Sequence, residues 1–426
     1  MLEQLIPKRK VYVTSKACYI VQTETNHIAA YLTDNNYELV DKIHDADAII
    51  ITTCAVTESS ARTTYNGILE CIKERKGNTP IYVVGCYTRI EPHRLKELSE
   101  YGNIIAIPEV KDIEKEFMGP HPWSSVIYNN FFAHHFWKET IKEKIKTTPR
   151  SKRILGTLLK AADSVLKTDI SFYYQFRRHL YNPEIQKRIW PVIVSKGCIH
   201  GCTYCAVRKG RGKHTSKPLL KVIEEIKNGI DRGYDKVLLI ADEIGTYGID
   251  LRDGTSLFSL LGELEKDDYP ISIGFWYLDC FKLMDVESRI EELCRKGKIF
   301  FLGITLQSGS PRVLKLMNRN YSLEDSVRAV KKFREYPGVI ISTQIMVGYP
   351  TETDDDFKKS YDLINKGYFD LVEVYEYSPR PGTPAARLVD DVPPEVKAKR
   401  ASTLRRLATK HAKRNFIKKI RWQLKA

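Results

Sequence analysis

The sequence is defined first by what it lacks. It has no run of about 18 apolar residues, the length a membrane-crossing helix needs. Its opening, MLEQLIPKRK, has no apolar core of the kind that marks a secretion signal. Together these absences lead to the expectation of a cytoplasmic protein. A disulfide framework is missing too, because the nine cysteines are odd in number and clustered rather than spread. In a reducing compartment, clustered cysteines indicate metal binding or catalysis. There is no internal repeat and no low-complexity tract. Acid is scarce: 53 Asp and Glu stand against 68 Lys and Arg, a net charge of +15 at pH 7. A chain this basic fits a polyanionic partner, of which nucleic acid is the commonest; the plainer alternative is a solvated positive surface.

The chain has 426 residues, too many for one typical domain, and 42% of them are hydrophobic, enough for sizeable cores. Residues 11–108 alternate short apolar runs with polar helical stretches. VYVTSKACYIV, ADAIIITTCAV and PIYVVGCYT read as strands, and 25–35 and 59–76 as helices. Such runs predict a parallel sheet covered on both faces. Cys18, Cys54 and Cys86 fall at or just past the ends of these strands, where open α/β sheets gather ligands. Cys71 lies inside a helix and fits no such place.

Between 119 and 189 the character changes to an aromatic and basic insert or linker. It includes IYNNFFAHHFWKETIKEKIK, a helical spacing through RILGTLLKAADSVLK, and FYYQFRRHLY with Arg177 and Arg178. Its aromatics interleaved with cations could clamp a single-stranded loop, but most of its apolar positions read as a buried helical cover, which leaves Arg177, Arg178 and the tail as contact candidates. From 190 the strand and helix alternation returns. Six strand-then-helix units follow, short of the eight in a closed barrel, and predict a partial (β/α)6 barrel over 190–392. The segment 393–426 reads as a basic helix, with about a dozen Lys and Arg and no acid after Val396.

One loop concentrates the chemistry. KGCIHGCTYCAVRKGRG sets Cys198, Cys202 and Cys205 in a C-x3-C-x2-C spacing. Thiolates are soft ligands that suit zinc or iron–sulfur clusters. His200 and His214 lie close enough in sequence to complete a zinc site. A four-iron cube held by three thiolates keeps one iron open, as a catalytic metal requires. The loop follows the first barrel strand, at the face where such barrels do chemistry.

The spacing, with Tyr204 before the last cysteine, resembles the signature of the radical S-adenosylmethionine (SAM) enzymes. A narrower resemblance covers nearly the whole chain. TTCAVTESSAR, VVGCYTRIEP, QSGSPRVLKLMNRNY, IMVGYPTETDDDF and EYSPRPGTPAARL are similar to segments of the radical SAM methylthiotransferases. The resemblance implies a flavodoxin- or Rossmann-like N-terminal domain over 1–118, followed by the partial barrel. It implies two [4Fe-4S] clusters and SAM. Cys198, Cys202 and Cys205 would hold the SAM-cleaving cluster. Cys18, Cys54 and Cys86 would hold a second cluster that carries the sulfur. The implied product is a methylthio group at an unactivated C–H bond. The implied SAM pocket is Asp242 or Glu243 for the amino group, Gln307 and Ser308 for the ribose, and Gly348 beside the adenine. An electron donor such as a flavodoxin or ferredoxin is implied as a partner.

The chain departs from that family at Ala17 and Val21, where Gly and Asn usually flank the first cysteine. Family members that act on transfer RNA usually end in a small all-β RNA-binding domain, and here the basic tail stands at that place. KGCIHGCTYCAVRKGRGKHTSKP and IADEIGTYGIDL are most similar to the branch acting on threonylcarbamoyladenosine. The expectation is therefore transfer RNA, contacted through the basic insert and tail, with a protein or peptide substrate, or another radical SAM reaction using one cluster, as the alternatives.

Overall fold

The computed structural model describes residues 8–126, 188–266 and 269–423, with side chains as far as residue 421. The insert expected at 119–189 falls almost wholly outside these residues, and so do Arg177 and Arg178. The chain forms two compact units. The first takes the N-terminal part together with two short downstream stretches, Cys205–Lys213 and Arg380–Thr383. The second takes the rest.

The first unit is built on five parallel strands: β1 (Lys10–Lys16), β2 (Glu38–Leu39), β3 (Ala48–Thr53), β4 (Ile81–Gly85) and β5 (Ile104–Ile107). Their order is β2-β1-β3-β4-β5, the doubly wound flavodoxin-like order. Side chains alternate along a strand, so an apolar run buried throughout must be covered on both faces. β3 is such a run. Ile50 packs with Val11, Val13, Ile28 and Tyr31 on one face, and Ile49 and Ile51 pack with Ile68, Val83 and Leu98 on the other.

The first helix spans Tyr19–Asp34, starting six residues before the expected position, because Cys18 turns the chain as its N-cap. The aromatic and β-branched residues Tyr19, Ile20 and Val21 look strand-forming in isolation. Buried inside the helix they pack, and tertiary context overrides their propensity. The next helix, Glu58–Glu74, begins with a Thr57–Ser60 capping box.

The second unit carries β6 (Ile189–Ile193), a small antiparallel pair β7 (Ser195–Lys196) and β8 (Thr215–Ser216), then β9 (Lys236–Ile240), β10 (Ser272–Asp279), β11 (Ile299–Thr305), β12 (Ile340–Val347) and β13 (Leu371–Glu376). Six of these form an all-parallel sheet in the order β13-β12-β11-β10-β9-β6, which follows the chain. Strand order equal to chain order is what successive same-handed crossovers produce. These six are the strands expected from sequence. The helices Leu219–Asp231, Cys280–Arg295, Leu323–Phe333 and Asp354–Asn365 follow their strands in turn.

The tail is one helix, Pro394–Gln423, and it is more than a solvated arm. Ala401, Leu404, Leu407 and Ala408 are buried, and Arg400 reaches Glu352 at 2.8 Å. Among the described residues no helix is long and apolar enough to cross a membrane.

Candidate functional site

Strand register assembles the first group of cysteines. Lys16 pairs with Thr53, and Thr53 pairs with Gly85, so β1, β3 and β4 end in one row. Cys54 and Cys86 are the next residues after their strands, and Cys18 is two residues past β1. None of the three is in a disulfide; Cys18 and Cys54 share a hydrogen bond and Cys86 acts on Cys18 electrostatically, although among the described residues no three His, Cys, Asp or Glu side chains are already drawn together as a metal site. The shared hydrogen bond gives the pair one early and one late deprotonation, with Cys54 lowered to about 6 and Cys18 raised. Cys18 is the N-cap residue of one helix and Cys86 the first residue of another (Cys86–Ile90). The row lies at the β1/β3 switch point of the sheet, where doubly wound folds bind ligands.

The local sequence explains the fit. Gly85 takes φ +102° and ψ −148°, a region open essentially to glycine alone, and so turns the chain sharply into Cys86. Thr64 Oγ1 donates to the Cys54 carbonyl at 2.8 Å. Gly210 of the downstream stretch lies against the same group, for a Cβ there would sit 3.3 Å from the Cys86 sulfur. Beside it, Arg211 forms a two-pronged pair with Glu24 at 2.7 and 3.0 Å, both side chains being nearly inaccessible. Arg380, from the other short stretch, bonds Glu58 and Glu91.

In the second unit, Cys198 and Cys202 sit on the loop after β7. Gly197 opens that loop at φ +77°, and its N–H donates to Asp242 Oδ2 at 2.7 Å. The two rival acids thus part ways. Asp242 ties down the backbone beside Cys198. Glu243 is buried; its Oε1 accepts from the Gly245 N–H at 2.7 Å and the Asp279 N–H at 3.2 Å, while its Oε2 has no hydrogen-bond partner among the described residues. That free oxygen lies 3.5 Å from His200 Nε2, and the His200 ring stacks on Phe281. A buried carboxylate oxygen with no hydrogen-bond donor, next to a cysteine loop, can receive a cationic group. Cys205 begins the stretch Cys205–Lys213, and its sulfur accepts from the Val207 N–H at 3.5 Å.

The other expected residues are less uniform. Gln307, at φ +69°, continues β11 by bonding Gln344 through backbone (2.8 Å) and side chain (3.1 Å). A non-glycine residue in that region is strained, a feature common at binding sites. Ser308 is fully buried, and its hydroxyl is committed to Ser310 and Ser360, so it does not join an open site. Gly348, at φ +71°, donates to Glu352 at 2.7 Å, and a Cβ there would strike the Lys397 stem. Cys71, Cys280 and Cys294 are core thiols pushed up to about 12 by burial.

Sequence reasoning missed Arg319 and Asp279. They form a buried ion pair at 2.7 Å, and the guanidinium also reaches the Cys202 sulfur at 3.6 Å. Burial pushes the Cys202 thiol up, and Arg319 opposes that shift. No local signal marks Arg319, because LKLMNRNY sets it among Lys, Asn and ordinary apolar residues. The structure also shows what the GTYGID segment does. Gly248 and Asp250 bond Ser216 on β8, and the Thr246 carbonyl lies within hydrogen-bond reach of His214. Those polar groups are spent inside the fold.

Comparison with known proteins agrees with both units. Residues 192–364 match the family model of the Radical SAM superfamily. Residues 10–106 match a model described as Uncharacterized protein family UPF0004. Among named relatives, a tRNA-2-methylthio-N(6)-dimethylallyladenosine synthase of Anoxybacillus flavithermus is 29% identical, over 94% of this chain and 69% of its own length. Proteins of the same name from Thermotoga petrophila and Bacillus subtilis are each 28% identical, over 93% and 94% of this chain and 81% and 72% of their own lengths. Among solved structures, the radical S-adenosylmethionine methyltransferase TsrM of Kitasatospora setae superposes with a TM-score of 0.56 at 13% identity, covering 89% of this chain and 77% of that one. At that identity the likeness concerns the fold.

Proposed function

We propose that this chain is a radical SAM methylthiotransferase that methylthiolates an N6-modified adenosine of transfer RNA, using two [4Fe-4S] clusters and SAM. The observation that supports the proposal is the placement of Cys18, Cys54 and Cys86 at three adjacent strand ends, in a unit separate from the Cys198 and Cys202 loop. A one-cluster enzyme has no use for that second group. When bound, the clusters and SAM supply a one-electron reductant, a hydrogen-abstracting radical and the sulfur to be transferred.

The chain's own residues then have defined tasks. Cys198, Cys202 and Cys205 hold the SAM-cleaving cluster, and Cys18, Cys54 and Cys86 hold the sulfur-carrying one. The free Glu243 oxygen takes the SAM amino group. Asp242 fixes the loop that carries Cys198. Gln307 and Gly348 line the nucleoside end, and Ser308, bonded to Ser310 and Ser360, stays buried behind them. Low exposure at Cys54 and Cys86 keeps water from the transferred sulfur.

The tail helix supports RNA as the substrate. Among its cations, Arg405 pairs with Glu376 at 3.3 Å, and two further sets differ in burial. Lys397, Arg400 and Lys419 are buried and paired within the second unit. Arg406, Lys410, Lys413, Arg414, Lys418 and Arg421 are exposed, with no ion pair among the described residues. Like charges four apart destabilise a helix, and a phosphate backbone would neutralise them. The modified base is the finer question. The GTYGID segment suggested threonylcarbamoyladenosine, whereas the named relatives carry dimethylallyladenosine in their names.

The test is anaerobic reconstitution, reaction with SAM, a reductant and bulk transfer RNA, and mass spectrometry of the nucleosides. A methylthio derivative of either modified adenosine supports the proposal and selects between them. SAM cleavage with no methylthiolated nucleoside moves the assignment to a protein substrate. Cys202→Ala is expected to stop SAM cleavage, and Cys54→Ala to stop only sulfur transfer. Methylthio product from Cys54→Ala would remove the sulfur-carrying role.

A further inference from the structure

Arg319 is buried more deeply than a guanidinium ordinarily tolerates. Its side chain is 2% exposed. Nη1 lies 2.7 Å from Asp279 Oδ2, and Nη2 donates to the Thr305 carbonyl at 2.6 Å. Phe281 and Tyr321 flank the plane at 5.6 and 5.3 Å. These contacts fix the fork in one orientation, and in that orientation Nη1 points at the Cys202 sulfur, 3.6 Å away. Nε is buried without a hydrogen-bond acceptor among the described residues. A fold seeking stability alone would do as well with apolar side chains here, since burying an ion pair recovers little or nothing over a hydrophobic substitute. Asp279 has a separate structural task, with Oδ1 capping the helix Cys280–Arg295.

We propose that Arg319 tunes the reduction potential of the cluster held by Cys198, Cys202 and Cys205, by donating a fixed, charged hydrogen bond to the Cys202 sulfur. The proposal rests on the reading that these cysteines hold such a cluster. An added electron makes the ligand sulfurs more negative. A donor already in place stabilises that state more than the oxidised one, and the potential rises. The burial of Arg319 keeps water from screening the effect. SAM cleavage needs one electron from an external low-potential donor, so the residue makes that electron easier to deliver. It is a positioning and tuning residue and need not touch SAM.

The test uses full-length Cys54→Ala protein, reconstituted, so that the cluster of the barrel is read alone. Dithionite titrations followed by electron paramagnetic resonance give its midpoint. Asp279→Asn is compared with Asp279→Asn plus Arg319→Met, which removes the ion pair without stranding a charge. At a fixed solution potential the second variant is expected to show a reduced-to-oxidised ratio lower by about tenfold, a negative shift of about 59 mV for one electron. Arg319→Lys keeps the charge but loses the fork, and is expected to fall between. Unchanged midpoints with iron retained would overturn the proposal. So would loss of iron from Arg319→Lys and Arg319→Met alike, which would make the residue an assembly determinant. Absence of iron from the Cys54→Ala parent would instead overturn the cluster reading itself.

Discussion

The Glu24–Arg211 pair makes a quantitative prediction about the first unit. Arg211 is only 3% exposed and Glu24 11%, and two hydrogen bonds join them. Glu24 lies on the helix that begins at Cys18, and Arg211 lies beside Gly210, which packs on Cys86. Removing one member strands the other as a buried, unpaired charge, which costs about 3–5 kcal/mol. Removing both for apolar groups of similar size costs far less, since the desolvation penalty goes with them. Arg211→Met and Glu24→Leu singly should therefore each destabilise the helix Tyr19–Asp34 strongly, and the double variant should recover most of the loss. Because the chain forms two units, a single melting temperature would mix two events. Hydrogen exchange read by mass spectrometry on peptides from that helix avoids the problem. At about 1.4 kcal/mol per tenfold, the single variants should exchange there roughly 10²- to 10³-fold faster, as far as global opening allows. Single variants within about threefold of wild type, or a double variant as fast as the singles, would refute the reasoning.

Other consequences can be measured independently. Replacing Arg406, Lys410 and Lys413 by Gln should lower the slope of log affinity for transfer RNA against log salt by about 2–3, if each meets one phosphate; an unchanged slope would show the helix to be merely solvated. Lys419 is lowered to about 8 by burial, against Asp370, which acts the other way. Its unfolded form binds a proton more readily than its folded form between about pH 8 and pH 10.5, so its contribution to stability rises with pH across that window. The wild-type minus Lys419→Met difference in stability should accordingly grow from pH 8 to pH 10, and a flat difference would contradict the shift. Gly85→Ala should cost about 1–3 kcal/mol in backbone strain and deplete the iron held by Cys18, Cys54 and Cys86, while Gly197→Ala should deplete the other cluster. Equal losses from both variants would show that the glycines act through general stability.

Much of this architecture was readable in the sequence because strand ends are punctuated. The runs closing at Thr53 and Gly85 are apolar on both faces, which only a covered parallel sheet accommodates, and the next residue in each case is a cysteine. The six barrel strands were legible for the same reason. The beginning of the first helix was not, because Tyr19, Ile20 and Val21 carry strand propensity and only the buried environment makes them helical. Nor was the partnership of Arg319 with Cys202, residues 117 apart in the chain, since no local period encodes a contact at that separation. The part that the GTYGID segment plays in the fold was hidden for a related reason. Its distinctive residues bond Ser216 and His214, far enough away in sequence that no local pattern announces the joint they form in the second unit.

The two groups of cysteines are built by different devices, and the difference governs what each tolerates. Cys18, Cys54 and Cys86 depend on the register of three hydrogen-bonded strands, so a slip of one residue in β1, β3 or β4 would break the row. Cys198 and Cys202 lie four residues apart on one loop, whose shape rests on a positive-φ glycine, the Asp242 bond to its N–H and the contact between Asn318 and the Gly201 carbonyl. A loop of that kind can be retuned by changing its neighbours without moving the sheet, and Asp242, Glu243, Asp279 and Arg319 are those neighbours. The register-built group has no such freedom. Its sulfurs are set by backbone pairing, and the adjustable contacts around it come from Gly210 and Arg211 in the stretch that follows Cys205. Chemistry at the group proposed to carry sulfur should thus be altered most readily from that stretch, and chemistry at the group proposed to cleave SAM from the strand ends of β9, β10 and β11.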